Sequence, residues 1–159
     1  LSRFSELSTY KNTILSKLIT NDGLVRAIYH NESNFLDASL PPITTPSSLI
    51  YKNIFPYAYI PEAQDEQKTY ITVMFNNFQL DKAFYKVGNI GFYVFTHFSL
   101  MPTDYNVLRT DYILNQIDTL FNKTNDLGIG KLQFARMGDI KPSRVHFGSF
   151  IEYKDFSFN

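Results

Sequence analysis

Five of the chain's seven prolines crowd between Pro41 and Pro61, at positions 41, 42, 46, 56 and 61. Proline fixes φ and removes an amide donor, so no long helix or central strand passes through such spacing. Residues 31–67 are therefore expected to form an extended arm, with at most a helical turn or two over Ser47 to Asn53. The arm is not a polar linker, because Leu40, Ile43, Leu49, Ile50, Ile54, Phe55, Tyr57, Tyr59 and Ile60 all need cover. Structureless segments beyond ~12–15 residues are uncommon inside compact domains and are usually functional. Two readings follow. The arm docks on a neighbouring subunit through Ile54, Phe55, Tyr57, Tyr59 and Ile60, or it wraps its own core.

The flanking segments carry regular periodicity. Phe4 to Thr20 keeps helical spacing through Leu7, Ile14, Leu15, Leu18 and Ile19. Asn21-Asp22-Gly23 reads as a stop and restart, with a short second helix ending near Tyr29. Beyond Gln67 the period changes to two. Thr69 to Phe75 alternates, Asn76-Asn77 reads as its end or a bulge, Leu80-Asp81-Lys82 reads as a turn, and Phe84 to Val87 and Ile90 to Phe98 follow as strands with Gly88-Asn89 as a turn or bulge between them. Both faces of the Ile90 strand are bulky, which predicts a central position. Asn106 to Asn122 is the clearest helix, with Asp104 as its expected cap. Ile113, Ile117 and Phe121 are expected to pack inward, and Arg109 and Asn115 to look away. Lys131 to Met137 and Arg144 to Tyr153 close the pattern as strands. The expected fold is a single α+β domain over residues 1–159. Its sheet is mainly antiparallel, the N-terminal helix and one long helix pack on it, and the Pro-rich arm is added to that frame.

Composition removes several chemistries. With no Cys, thiolate zinc sites, iron–sulfur clusters, disulfides and cysteine nucleophiles are absent. His30, His97 and His146 show no metal-ligand spacing, so no metal or other cofactor is expected. Gly128-Ile129-Gly130 precedes a strand instead of opening a helix and reads as a turn, not a phosphate loop. Glu62, Asp65 and Glu66 are neighbours in an acidic loop with nothing to separate their pKa values. No nucleophile–base set is present, and no catalytic residue is expected. Fifteen basic and fifteen acidic residues leave a net charge of zero, so strong DNA binding is not expected. Lys131, Arg136, Lys141 and Arg144 form a candidate basic patch, either a solvated face or a contact for an acidic partner or passing phosphates. No apolar run reaches the ~20 residues of a membrane span, and Leu1 to Glu6 is not expected to be a signal peptide.

Several stretches resemble neck proteins of tailed bacteriophages that infect Gram-positive hosts. They are Asn53 to Glu62, Asp65 to Val73, Leu108 to Asn122, Leu127 to Phe134 and Phe147 to Phe156. The order of elements is also similar to tail terminators, small α+β proteins that form a ring on the last tail-tube ring. The resemblance covers roughly the last two-thirds of the chain. It implies a virion protein assembled in the host cytoplasm, a homo-oligomeric ring with six subunits expected, and tail tube protein and head connector or stopper as partners. It implies no membrane contact and only weak, non-specific contact with DNA in the channel. A head–tail connector or stopper has the same kind of resemblance, and a small non-viral binding domain or an unrecognised enzyme is the alternative from another class. The 15 Phe and 11 Tyr suit a protein that works through interfaces.

Overall fold

The computed structural model describes residues 5–61, 67–81, 85–124 and 131–158. The expected helix start at Phe4, the acidic loop at Glu62, Asp65 and Glu66, the turn at Lys82, Phe84, and Leu127 to Gly130 lie outside the described residues. Helices α1 (Ser5–Thr20) and α2 (Asp22–Tyr29) are separated by Asn21. Asn21 is extended, and its side-chain oxygen accepts from the Leu24 amide at 2.9 Å, which satisfies one open donor of the α2 N-terminus. Among its described residues the arm carries a 3₁₀ turn, Pro46–Leu49. Strands β1 (Ile54–Phe55), β2 (Thr69–Asp81) and β3 (Tyr85–His97) precede α3 (Arg109–Phe121), and β4 (Leu132–Ile140) and β5 (His146–Phe158) follow it.

The strands form one sheet in the order β1-β2-β3-β5-β4. Among the described strands the β1–β2 pair is parallel and the β2–β3, β3–β5 and β4–β5 pairs are antiparallel. This is the expected α+β class with a mainly antiparallel sheet, and β3 takes the central position its two bulky faces predict. Two expected irregularities form as bulges, and two details differ from the sequence pattern. Of the two readings of Gly88-Asn89, the bulge holds and the turn does not: β3 runs through it, and its pairing with β5 shifts register between Lys86 and Gly88. A second shift, between Asn76 and Gln79, matches the bulge expected at Asn76-Asn77, but β2 then continues to Asp81 instead of turning at Leu80-Asp81. And α3 starts at Arg109, not Asn106: Asn106 sits in the left-handed region at φ 57°, and the residue at the cap is Leu108, not Asp104.

The larger core lies between the helices and one face of the sheet. Ile71, Val73, Ile90, Phe92, Val94, Ile151 and Tyr153 meet Ile14, Leu18, Leu24, Ile28, Ile113, Ile117 and Phe121 there. Each such side chain removed from water contributes ~1.5–3 kcal/mol. The rings of Phe92 and Phe121 stack with centroids 4.8 Å apart, and the Tyr153 hydroxyl donates to Asp118 Oδ1 at 2.6 Å, so β3 and β5 are both tied to α3.

Arg109 corrects the helix-face assignment, because it is fully buried instead of facing outward. Its Nε donates to Leu100 O at 2.7 Å, Nη1 to Ala27 O at 2.7 Å and His30 O at 2.8 Å, and Nη2 to Asn31 O at 3.3 Å and Glu32 O at 2.8 Å. The carbonyls at the end of α2 have no intrahelical partner, and a guanidinium fork can satisfy several at once. The Phe35 ring lies 4.8 Å from the guanidinium carbon. Burial lowers the Arg109 pKa to about 10, which leaves it charged at neutral pH.

Candidate interaction surface

The arm changes sides of the sheet at β1. Successive strand residues point to opposite faces, so Ile54 enters the helix-side core while Phe55 enters a second cluster with Tyr70 and Phe95 on the helix-free face. Two bonds hold the crossing: the Ile71 amide donates to Asn53 O at 2.8 Å, and Asn53 Nδ2 donates to Thr69 O at 3.0 Å. The arm then lies over the helix-free face, where the Tyr59 ring stacks on Phe55 at 4.0 Å and 9°.

Of the five residues expected at a subunit contact, Ile54 and Phe55 are therefore corrected. They are 0% and 5% exposed inside their own subunit and present no surface to a neighbour. Tyr59 is half-buried, and the outward group is Tyr57 and Ile60, at 50% and 69% exposure. Tyr51, which the sequence reading passed over, joins them at 64% exposure, its ring stacked on Tyr57 at 6.4 Å.

Beside the arm, a groove of about 330 Å³ opens on the helix-free face, lined by Tyr59, Ile60, Thr72, Met74, Phe95 and Ile140 among others. Tyr93 also lines it and leads to a polar cluster with no local signature in the sequence. Glu152, almost fully buried, accepts from Tyr93 Oη at 2.9 Å and Arg136 Nη2 at 3.1 Å through Oε1. Its Oε2 accepts from Arg136 Nε at 2.9 Å and Asn89 Nδ2 at 3.4 Å. The Arg136 hydrogen bonds, opposed by desolvation, hold the Glu152 carboxyl below its usual value. Burial, and then the adjacent carboxylate, push the Tyr93 phenol up to about 12. Both carboxylate oxygens are engaged, so Glu152 pins β3, β4 and β5 together at neutral pH.

The expected basic patch does not form. Arg136 is neutralised by Glu152 and covers Phe150, with 5.2 Å to the ring centroid. Lys141 Nζ stands 5.1 Å over Phe147. Lys131 precedes β4 and Lys141 follows it, on the order of 30 Å apart along an extended strand. Arg144 is exposed in the β4–β5 connection. The four charges are spread along one strand and its connection.

At the opposite edge of the sheet, α3 and β4 enclose a second groove of about 610 Å³. Leu114 and Ile151 line its apolar part with Phe134 and Met137, which are 50% and 58% exposed, and Asp111 and Asp118 also line it. His97 and His146 are cross-strand partners with rings edge-on at 5.8 Å, bonded to Ser99 and Ser143 respectively. Among the described residues, no group of three or more His, Cys, Asp or Glu could hold a metal ion, and no helix is long and apolar enough to cross a membrane.

A model of the protein family described as YomW matches residues 21–154. No curated protein and no solved structure matches the chain.

Proposed function

We propose that this chain, which belongs to the YomW family, is a structural protein of the neck of a tailed phage. In this reading it acts as the tail terminator, a homo-oligomeric ring that caps the tail tube and receives the head connector. The observation that carries the reading is apolar surface left open at both edges of the sheet. Tyr51, Tyr57 and Ile60 stand out at the β1 edge, and Phe134 and Met137 at the β4 edge. Scattered single apolar residues are ordinary on a monomer, whereas clustered ones mark sites of association. The resemblance to neck proteins supports the same reading and falls almost wholly within the span of the family match.

The charge distribution suits such a ring. The formal charge is zero, and Arg136, central to the sequence-level basic patch, is already paired. DNA passing a channel built from these subunits meets little net field and slides without sticking. The role is structural instead of catalytic, with tail tube protein and head connector as partners and the virion neck as its location.

Incubation with purified tail tubes, followed by negative-stain microscopy, tests the reading. A ring at one end of the tube, with native mass spectrometry giving a discrete oligomer near six subunits, is the expected result. Binding to head portals in place of tubes would move the protein to the connector or stopper role. A chain that stays monomeric and binds neither would sink the neck reading.

A further inference from the structure

Resting on that ring reading, we infer that neighbouring subunits join head to tail, with residues 51–60 of one copy seated in the groove between α3 and β4 of the next. The two surfaces lie at opposite edges of one sheet, in the order β1-β2-β3-β5-β4, so the knob on β1 cannot fill the groove beside β4 of its own chain. A second copy can.

Their chemistries match. The knob presents Tyr51, Tyr57 and Ile60, with the exposed cation Lys52 beside them. The groove presents Leu114, Phe134, Met137 and Ile151, with Asp111 and Asp118 and no basic side chain among the described residues that line it. Aromatic rings against Phe and Met give good contact, and methionine adapts to a ring edge. The charges also choose the mode. Knob on knob would bring two Lys52 ammonium groups together, and groove on groove would face Asp111 and Asp118 with their own copies. Only knob in groove pairs opposite signs, and such a heterologous contact closes into a ring when its rotation permits.

The knob is also built to project. Tyr51 holds φ 66°, a region that bulky residues rarely adopt. Its amide donates to Ile54 O at 2.8 Å, while the Lys52 and Asn53 amides donate to Leu49 O at 3.1 and 2.8 Å. This tight turn fixes the strained residue with its ring turned outward.

The natural absence of cysteine gives a clean test. Tyr57→Cys and Met137→Cys, each at an exposed position, are prepared as separate full-length chains. The two are mixed with each other and with wild-type chain under assembly conditions and treated with a short bis-maleimide, while native mass spectrometry reports the oligomer; the Tyr57→Cys/Met137→Cys double variant is treated alone. The proposal expects a 57–137 linked dimer from the mixture, a ladder up to the full ring from the double variant, and no self-linking of either single variant. A ring that forms without any 57–137 link overturns this pairing and leaves the ring reading intact. A 57–57 or 137–137 link overturns it in favour of a two-fold contact. Wild-type chain that itself stays monomeric under these conditions, with no link in any mixture, overturns both.

Discussion

The Arg109 guanidinium donates to the main-chain carbonyl of Ala27 at 2.7 Å, joining the first residue of α3 to the last turn of α2. The same side chain reaches His30, Asn31, Glu32 and Leu100, so one residue closes the end of a helix and the start of the arm. A cation is also favoured at the negative end of the α2 dipole.

Replacing this arginine should be among the most damaging single changes. Arg109→Met leaves several buried carbonyls without a donor, at ~1–3 kcal/mol each, and the total should exceed about 4 kcal/mol. Arg109→Lys keeps the charge but has no planar fork, so it should rescue only part of the loss. Urea denaturation of the three proteins checks this. A loss under about 1 kcal/mol for Arg109→Met would mean that water replaces the guanidinium at little penalty.

Glu152 makes stability depend on pH in a defined direction. Its carboxyl titrates below the usual value in the folded protein, chiefly through Arg136, so the unfolded chain takes up the proton more readily. The contribution is therefore complete above the unfolded value of ~4.3 and is lost as pH falls through the lower native value. Glu152→Gln lacks this contribution. The difference in urea midpoint between wild type and variant should be widest near neutral pH and should narrow below about pH 4. A gap that stays constant across that range would show that the charge of Glu152 is not what stabilises the cluster.

Phe55 and Tyr57 are two residues apart in the arm and should behave oppositely. Phe55 is buried under Tyr59 against Tyr70 and Phe95, so Phe55→Ala should destabilise the isolated subunit by ~3–5 kcal/mol. Tyr57 is half exposed, and Tyr57→Ala should change subunit stability by no more than about 0.5 kcal/mol while weakening assembly. Thermal melts of the monomer, read beside oligomer mass at matched concentration, separate the two. Equal destabilisation by both would place Tyr57 in the core.

Gly148 lies in β5 between β3 and β4, where a Cβ would stand 1.9 Å from Val94 O and 2.7 Å from Phe95 Cα. These are backbone atoms of the central strand and cannot rotate away. Gly148→Ala should cost at least ~1–3 kcal/mol, as other overpacked sites do, and should slow amide exchange less effectively in β3 and β5 than the wild type does. Exchange protection identical to wild type in both strands would show that the sheet accommodates the methyl by a small local shift.

The sequence by itself determined the elements whose signal is a repeated local period. The apolar spacing of Ile14, Leu18, Leu24 and Ile28, the Ile113–Ile117–Phe121 stripe, and the alternation through Ile71, Val73, Phe92 and Val94 each report one face of one element. A face that meets the core must repeat at 3.6 or 2 residues, so it can be read without knowing what covers it. The Pro spacing likewise shows that no long element passes through residues 41–61, since the restriction lies within each residue.

Only the tertiary structure decided the rest, because the deciding partner lies far along the chain. A two-residue strand has no period of its own, and Ile54-Phe55 becomes β1 solely through pairing with Ile71 and Thr72. That pairing settles which side of the sheet the arm lies on, and so which of its aromatic residues stay outside. Arg109 looks like a surface residue until Ala27, His30 and Glu32 bring their carbonyls to it. Arg136 looks like part of a basic patch until strand register sets it opposite Glu152. A local period reports burial of a face, whereas the state of a charge or an edge depends on which distant group is folded against it.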